Sequence, residues 1–503
     1  MSISKHLACL FCCAALWSTV HAQLNIKAVN LGGWLVTEGW IKPSLFDGIA
    51  NKDFLDGTEV KLKSVYLGKY VCAENGGASV LVANRGSASG WESFRLWRVN
   101  ETSFYMRVFN KQFIGYDSDG DKIRMLTYAT TPTIPQLLTI FKNPAGGDLV
   151  RILSSNGKFL QAKTQDLVTA DNTDKVSQWG NSDPSVFELT ITKQMQGEFQ
   201  VTNGYGSRAA QVMNDHWNSY IVQDDFRFIA SHGLNAVRIP VGWWIASDPS
   251  PPKPYVGGSL AALDRAFQWA QKYKLKVIID LHAADGSQNG NDHSSSRDGT
   301  QDWGKSDTNI QRTVDVIEFL TKRYAASPSL FAVELLNEPV APGVTLDMVN
   351  KYYKAGYDAV RRHSSSAYVI LSQRLGLGSQ DEKELFPLAS GLQKSVIDVH
   401  YYNLFWPEVF NSMTVQQNID FINTNRSAQL NAINTQTGPL VLVGEWVAEW
   451  MVSGAAKADV QRFAAAQLDV YGRASFGWAY WTYKNVNDHW SLQWMISNGY
   501  ITL

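Results

Sequence analysis

Cysteine is nearly absent from this chain: of four in 503 residues, Cys9, Cys12 and Cys13 lie at the extreme N-terminus, leaving Cys72 alone thereafter. One thiol cannot build a disulfide framework, so the core has to hold by packing. A dominant charge sign is also missing. The 45 Lys+Arg and 46 Asp+Glu give a formal charge of -1, which supplies no long-range field for nucleic acid or an anionic membrane. Neither partner is expected. Long apolar runs are absent too, except where Lys5 and His6 lead into Leu7 to Val20 and the small-residue pattern Val20-His21-Ala22 precedes Gln23. That run is shorter than the roughly 20 residues of a membrane span, so residues 1–22 read as a signal peptide and the mature chain as secreted, soluble and monomeric.

What is present exceeds one ordinary core, and length alone predicts a large domain plus a smaller one. Aromatics make up 12% of the chain, and flat rings with polar edges suit sugar faces as well as cores. The triplets Asn100-Glu101-Thr102 and Asn425-Arg426-Ser427 are acceptor sequons, as an exported glycoprotein would carry. A β-prone run spans Ile26 to Leu35, and the next of its kind begins only at Ala236. Between them, residues 58–193 show short strand-like runs broken by Gly, Asn and Asp. Three weak echoes recur there at spacings of 43 to 47 residues: Lys69-Tyr70-Val71, Gln112-Phe113-Ile114 and Lys158-Phe159-Leu160, with Phe94, Phe141 and Phe187 near each unit's end. Such a period predicts an all-β, pseudo-threefold β-trefoil closed by buried aromatics, with an irregular β-sandwich as the alternative.

After Gly197 strands and helices alternate. Strand-like runs at Ala236–Pro240, Lys276–Leu281, Phe331–Leu335, Ala367–Ser372, Val396–Tyr401, Leu440–Val443 and Phe476–Trp481 join Ile26–Leu35 to make eight. Helical periodicity covers Ser219–Ser231, Leu260–Tyr273, Thr308–Tyr324, Leu346–His363 and Asp459–Tyr471. The expected fold class is α/β, a (β/α)8 TIM barrel over 23–57 and 194–503 with the trefoil inserted between barrel strand one and its helix. In such barrels chemistry stands where strands end. Breaking an acetal requires a carboxylic acid to protonate the leaving oxygen and an anion to capture the oxocarbenium carbon. Glu338, after strand four, and Glu445, after strand seven, face one another across the mouth and are the natural pair.

The motifs Asn30-Leu31-Gly32-Gly33-Trp34, Val237-Arg238-Ile239-Pro240-Val241-Gly242, Ile279-Asp280-Leu281-His282, Gly286-Ser287-Gln288-Asn289-Gly290, Asn337-Glu338-Pro339, Asp398-Val399-His400-Tyr401-Tyr402 and Gly444-Glu445-Trp446 occur in the order of glycoside hydrolase family 5. The chain resembles its exo-β-1,3-glucanase-like branch in clan A. The insertion is similar to the fascin-like trefoil of a plant branch. The resemblance implies a retaining β-glucosidase of the cell wall or apoplast, acting on β-1,3-glucan oligosaccharides or β-glucosides. It implies Glu338 as general acid and base and Glu445 as nucleophile, supported by Arg238, Asn337, His400 and Tyr402. Arg238 would lower the nucleophile's pKa, and Glu338 would sit less stabilised so as to stay protonated. Glu38, His282, Asp292, Phe405 and Trp481 would bind substrate.

One departure stands out. The fungal pattern has phenylalanine after Gln-Asn-Gly as half of an aromatic clamp at the entry, where this chain has Asn291; Phe405 matches the other half. Strict β-1,3-glucan preference is therefore open to a broader β-glucosidase, a transglucosidase or an endo-β-glycanase on the same site. A glycan-binding protein with a non-catalytic barrel is the alternative from another class. No metal and no cofactor are expected, because hydrolysis through two carboxylates needs no Lewis acid.

Overall fold

The computed structural model describes residues 23–119, 122–376 and 381–503; the signal peptide expected over 1–22 lies outside them. Eight parallel strands close into a barrel: Ile26–Asn30, Ala236–Gly242, Lys276–Ala283, Leu330–Glu334, Tyr368–Ser372, Ser395–Asn403, Leu440–Trp450 and Gly477–Tyr480. The first closes the ring by pairing with both the second and the eighth, as Ala28 with Ala236 and Ile26 with Gly477. Helices such as Ser259–Tyr273, Asp307–Tyr324, Leu346–Arg361 and Lys457–Tyr471 follow the strands. A strand covered on both faces has no solvent side, and every residue of Ala236–Gly242 is buried.

Several boundaries differ from the sequence expectation: the seventh barrel strand runs on from Val443 to Trp450, so Glu445 lies inside it and not after it, and two further differences have local causes. Strand one stops at Asn30 and not Leu35, because the chain turns at Gly33, where φ is +70°. The helix expected over Ser219–Ser231 is two: Ala209–Ser219 ends first, and Gln223–Ser231 starts afresh with the Asp225 carboxylate accepting the Val222 N–H at 2.8 Å. A further helix, Glu198–Tyr205, precedes them.

Between strand one and these helices stands a second, antiparallel unit with its own apolar core. Six strands form a closed ring: Glu59–Ser64, Ser93–Arg98, Ser103–Arg107, Leu138–Lys142, Leu149–Ser154 and Phe187–Lys193, each paired with the next and the last with the first. Three hairpins complete it: Lys69–Ala73 with Leu81–Arg85, Phe113–Asp119 with Lys122–Tyr128, and Phe159–Gln161 with Thr169–Asn172. Along Ser93–Arg98 burial alternates residue by residue, as expected when one face meets the core. Tyr70, Phe113 and Phe159 each lie in the leading strand of a hairpin. Phe94 and Phe187 are buried in the ring, but Phe141 is 44% exposed. Its strand turns Leu138 and Ile140 inward, and a residue three positions from Leu138 falls on the opposite face of a period-two strand.

Candidate active site

Arg238, inside the second strand, sits at the floor of the barrel mouth with no exposed surface. Its Nε and Nη2 donate to the two oxygens of Glu334 at 2.7 and 2.8 Å, and Nη2 donates to Asn337 Oδ1 at 2.9 Å. Nη1 donates to Asn30 Oδ1 at 2.8 Å and Glu445 Oε1 at 3.2 Å. Burial alone would disfavour the charged form, but the carboxylates of Asp280, Glu334 and Glu445 hold the guanidinium protonated. Asn337 is likewise fully buried on this floor, with its Nδ2 3.5 Å from His282 Nε2. His282 Nδ1 is fixed against Asp280 Oδ2 at 2.6 Å.

Glu445 is aimed by a bulge. Val399 pairs with Val443 and His400 with Glu445, so Gly444 is the extra residue of its strand. The Gly444 N–H donates to Asp398 Oδ1 at 2.7 Å, and a Cβ there would stand 2.2 Å from the same oxygen. Glycine is thus the residue that lets Asp398 lie against the bulge. Glu445 Oε2 accepts the Tyr402 hydroxyl at 2.7 Å, so fixed donors engage both oxygens of this carboxylate.

Glu338 follows the fourth strand with φ of +43°, in the left-handed region. Ser372 Oγ accepts its N–H at 3.3 Å and Asn289 Nδ2 donates to its carbonyl at 3.2 Å. Two histidines grip its carboxyl: His400 Nδ1 is 2.6 Å from Oε1 and His293 Nε2 is 3.3 Å from Oε2. The other nitrogen of His400 faces Asp398 Oδ2 at 3.1 Å, so both ring nitrogens point at carboxylates, as in an imidazolium. Burial would raise the Glu338 carboxyl, but His293 and His400 hold it well below the usual carboxylate range. Burial would likewise lower His293, yet Glu338, Glu38 and Glu445 raise it to about 9. The expectation that Glu338 would sit less stabilised than Glu445 meets the opposite direction: the two histidines favour its ionised form.

Above this cluster opens a cavity of about 990 Å³ lined by Glu38, His282, His293, Glu338, His400, Tyr402, Phe405, Glu445 and Trp481 among others. Trp481 is 3% exposed, parallel to the His282 ring at 5.4 Å between centroids, and packs over Gly32. Glu38 takes the Trp40 indole N–H on Oε2 at 3.0 Å, while its buried Oε1 has no partner among the described residues. Phe405 stands 66% exposed at the rim. Asp292 does not line the cavity; its carboxyl is raised by burial and turns to the Gln196 backbone.

Several site residues escaped the sequence reading. Glu334, which ends its strand, and Asp398, within its strand, were given no role. His293 sits beside Asp292 in a loop. Trp40 and Trp490 meet edge to face at 4.9 Å, and Trp490 stacks on Tyr402 at 5.9 Å, building a wall from segments far apart in the chain. Among the described residues two groups have the donors for a cation: Glu334, Asp398 and His400, and Glu338, His400 and Glu445, each with ligand atoms within 4.8 Å of one another. In both, the Arg238 guanidinium already pairs with a member, at 2.7 Å for Glu334 and 3.2 Å for Glu445, and it would repel a metal ion.

Comparison with known proteins accords with this geometry. The family described as "Cellulase (glycosyl hydrolase family 5)" matches residues 200–487, and a domain of unknown function (DUF7910) matches 51–192. The chain is 32% identical over 359 residues to a probable glucan 1,3-beta-glucosidase A of Emericella nidulans, covering 63% of this chain and 85% of that one. It is 31% identical over 366 residues to a glucan 1,3-beta-glucosidase of Yarrowia lipolytica, covering 63% and 83%. The crystal structure of rutinosidase from Aspergillus niger superposes with a TM-score of 0.52 at 21% identity, covering 60% of this chain and 88% of that one, a likeness of fold. The family match runs through more than half of the chain, from the helix before barrel strand two to the loop after strand eight, and this chain belongs to glycosyl hydrolase family 5.

Proposed function

We propose that this glycoside hydrolase cleaves β-glucosidic bonds with retention, through a glycosyl-enzyme on Glu445. The observation that carries this reading is the carboxyl separation: an oxygen of Glu338 lies within 4.8 Å of one of Glu445. Inverting enzymes keep about 6.5–9.5 Å to seat a water, whereas retaining ones close to about 5–5.5 Å. Glu445, held by Arg238 on Oε1 and Tyr402 on Oε2, attacks the anomeric carbon as the bond to the leaving oxygen breaks. Glu338, reprotonated through His400 or His293 when substrate excludes water, gives that oxygen its proton. A water then attacks the anomeric carbon from the vacated side, loses its proton to Glu338, and frees Glu445.

The partnerless Oε1 of Glu38 supports a role in accepting sugar hydroxyls, and the Trp481 face supports stacking under the cleaved glucosyl unit. Asn337, held by Arg238, would meet the 2-hydroxyl. The names of the fungal relatives point to β-1,3-glucan oligosaccharides. Asn291 in place of the clamp phenylalanine favours a broader range of β-glucosides. We further read residues 58–193 as a β-trefoil of the fascin-like plant type, 23–57 and 194–503 as the catalytic barrel, and the protein as secreted to the cell wall and monomeric.

Replacing Glu445 with Gln should lower turnover of an aryl β-glucoside by at least a thousandfold, and proton NMR of wild-type hydrolysis should register β-glucose before its α anomer. Turnover within a few-fold of wild type, or α-glucose appearing first, would overturn the reading.

A further inference from the structure

The ring of six strands touches the barrel domain at several places, and one of these is a loop that also reaches the cavity. Residues 284–306, which follow the third barrel strand, carry Asn291 and His293 to the cavity lining and place Asp298 against the second unit. Asp298, in this loop, is 2% exposed. Its Oδ2 takes the indole N–H of Trp97 at 2.7 Å and the guanidinium of Arg107 at 2.5 Å. Both donors belong to the ring strands Ser93–Arg98 and Ser103–Arg107. The Arg297 guanidinium lies 3.7 Å above the Trp97 ring and donates to buried Asp56 at 2.8 Å.

The points where the chain leaves and re-enters the barrel press on the same loop. A Cβ on Gly57 would stand 2.6 Å from the Arg297 carbonyl, and one on Gly197 would stand 2.4 Å from the Asp292 carbonyl. Inside the loop, Gly290 lies so close to Gly299 that a Cβ would approach its carbonyl to 2.8 Å. Asn289 links this fold to the chemistry, with Nδ2 2.8 Å from His293 Nε2 and 3.2 Å from the Glu338 carbonyl. From Asp298 through Gly299, Gly290 and Asn289 the contacts thus run without a break to His293.

We propose that the inserted β unit is a brace for catalysis: Trp97 and Arg107 are positioning residues that hold Asp298 and, through the 289–299 loop, set His293 against Glu338. The inference rests on Glu338 being the acid and base. It gives the insertion a role in turnover that does not need a sugar site of its own.

The test uses the full chain with Arg107→Met and Trp97→Phe, assayed on an aryl β-glucoside alongside hydrogen exchange of residues 289–299. The expected result is a tenfold or larger fall in kcat with KM changed less than threefold, restored in good part by Arg107→Lys, and exchange of the loop amides at least tenfold faster. If Arg107→Met does not fold, Trp97→Phe, which keeps an aromatic face but has no indole N–H for Asp298, decides alone. A kcat within twofold of wild type together with unchanged loop exchange in a folded variant overturns the proposal. Should the wild type show no glucosidase activity, the functional reading fails while the exchange measurement still decides the brace.

Discussion

Glu198 shows how one buried carboxyl sets a pH dependence. Its Oε2 accepts the Thr37 N–H at 3.0 Å and the Thr37 hydroxyl at 2.5 Å, while Oε1 is buried without a partner among the described residues. Burial, only partly opposed by Thr37, pushes its pKa up to about 7 from an ordinary 4.5. A raised folded pKa means the stability of the neutral form is complete below pH 4.5 and is lost as pH rises through 7. Glu198→Gln has no proton to lose. Between pH 5 and 8 the wild type should therefore lose up to about 3 kcal/mol relative to the variant, read from denaturant midpoints at each pH. Equal slopes would refute it. His216 acts with the opposite sign: burial lowers it to about 3, so its contribution is lost as pH falls below 6.5, and comparing the two chains isolates Glu198. At this scale the motifs singled out Glu338, Glu445, Arg238 and Tyr402, which the structure brings together, with Arg238 and Glu445 inside their strands and not at the ends. Roles for Glu334 and Asp398 were not legible, because a carboxylate on a barrel strand looks like any strand residue until Arg238 is seen beside both. Nor was the direction of the shift at Glu338, which depends on His293 reaching it from another loop.

At the scale of elements, the period-two rule makes a sharp claim about the ring strand Leu138–Lys142. Leu138 and Ile140 face the core, and Phe141 faces outward against Phe159 at 5.8 Å. Leu138→Ala should destabilise the protein by about 2–5 kcal/mol, and Phe141→Ala by less than about 1.5 kcal/mol, measured by chemical denaturation. The reverse order would mean the strand is registered one residue off. The faint echo at Phe141 misled because composition repeats are visible before their phase is. Barrel strands were easier to find, since a strand buried on both faces is an unbroken apolar run. Their ends were less visible, since the bulge at Gly444 and the turn at Gly33 depend on partners that are remote in sequence.

For the whole molecule, the joint between the two units carries the weight. Gly197 has an ordinary backbone conformation, so Gly197→Ala tests space alone: its methyl would meet the Asp292 carbonyl. Overpacking of this kind costs about 1–3 kcal/mol. The variant should unfold at lower guanidinium concentration and turn over an aryl β-glucoside more slowly, because the same push displaces His293. Unchanged stability and rate would mean the joint yields freely. None of this docking was visible in the sequence, where Asp298 stands 201 positions from Trp97 and 191 from Arg107 and all three are ordinary residues. The insertion also orders events during synthesis. Ile26–Asn30 is the first barrel strand to emerge from the ribosome yet finds its two neighbours only at Ala236–Arg238 and Gly477–Tyr480. All twelve strands of the β unit leave the tunnel before either neighbour does, so that unit can finish folding while the first barrel strand is still unpaired. The last barrel strand to be made then closes a cylinder opened by the first.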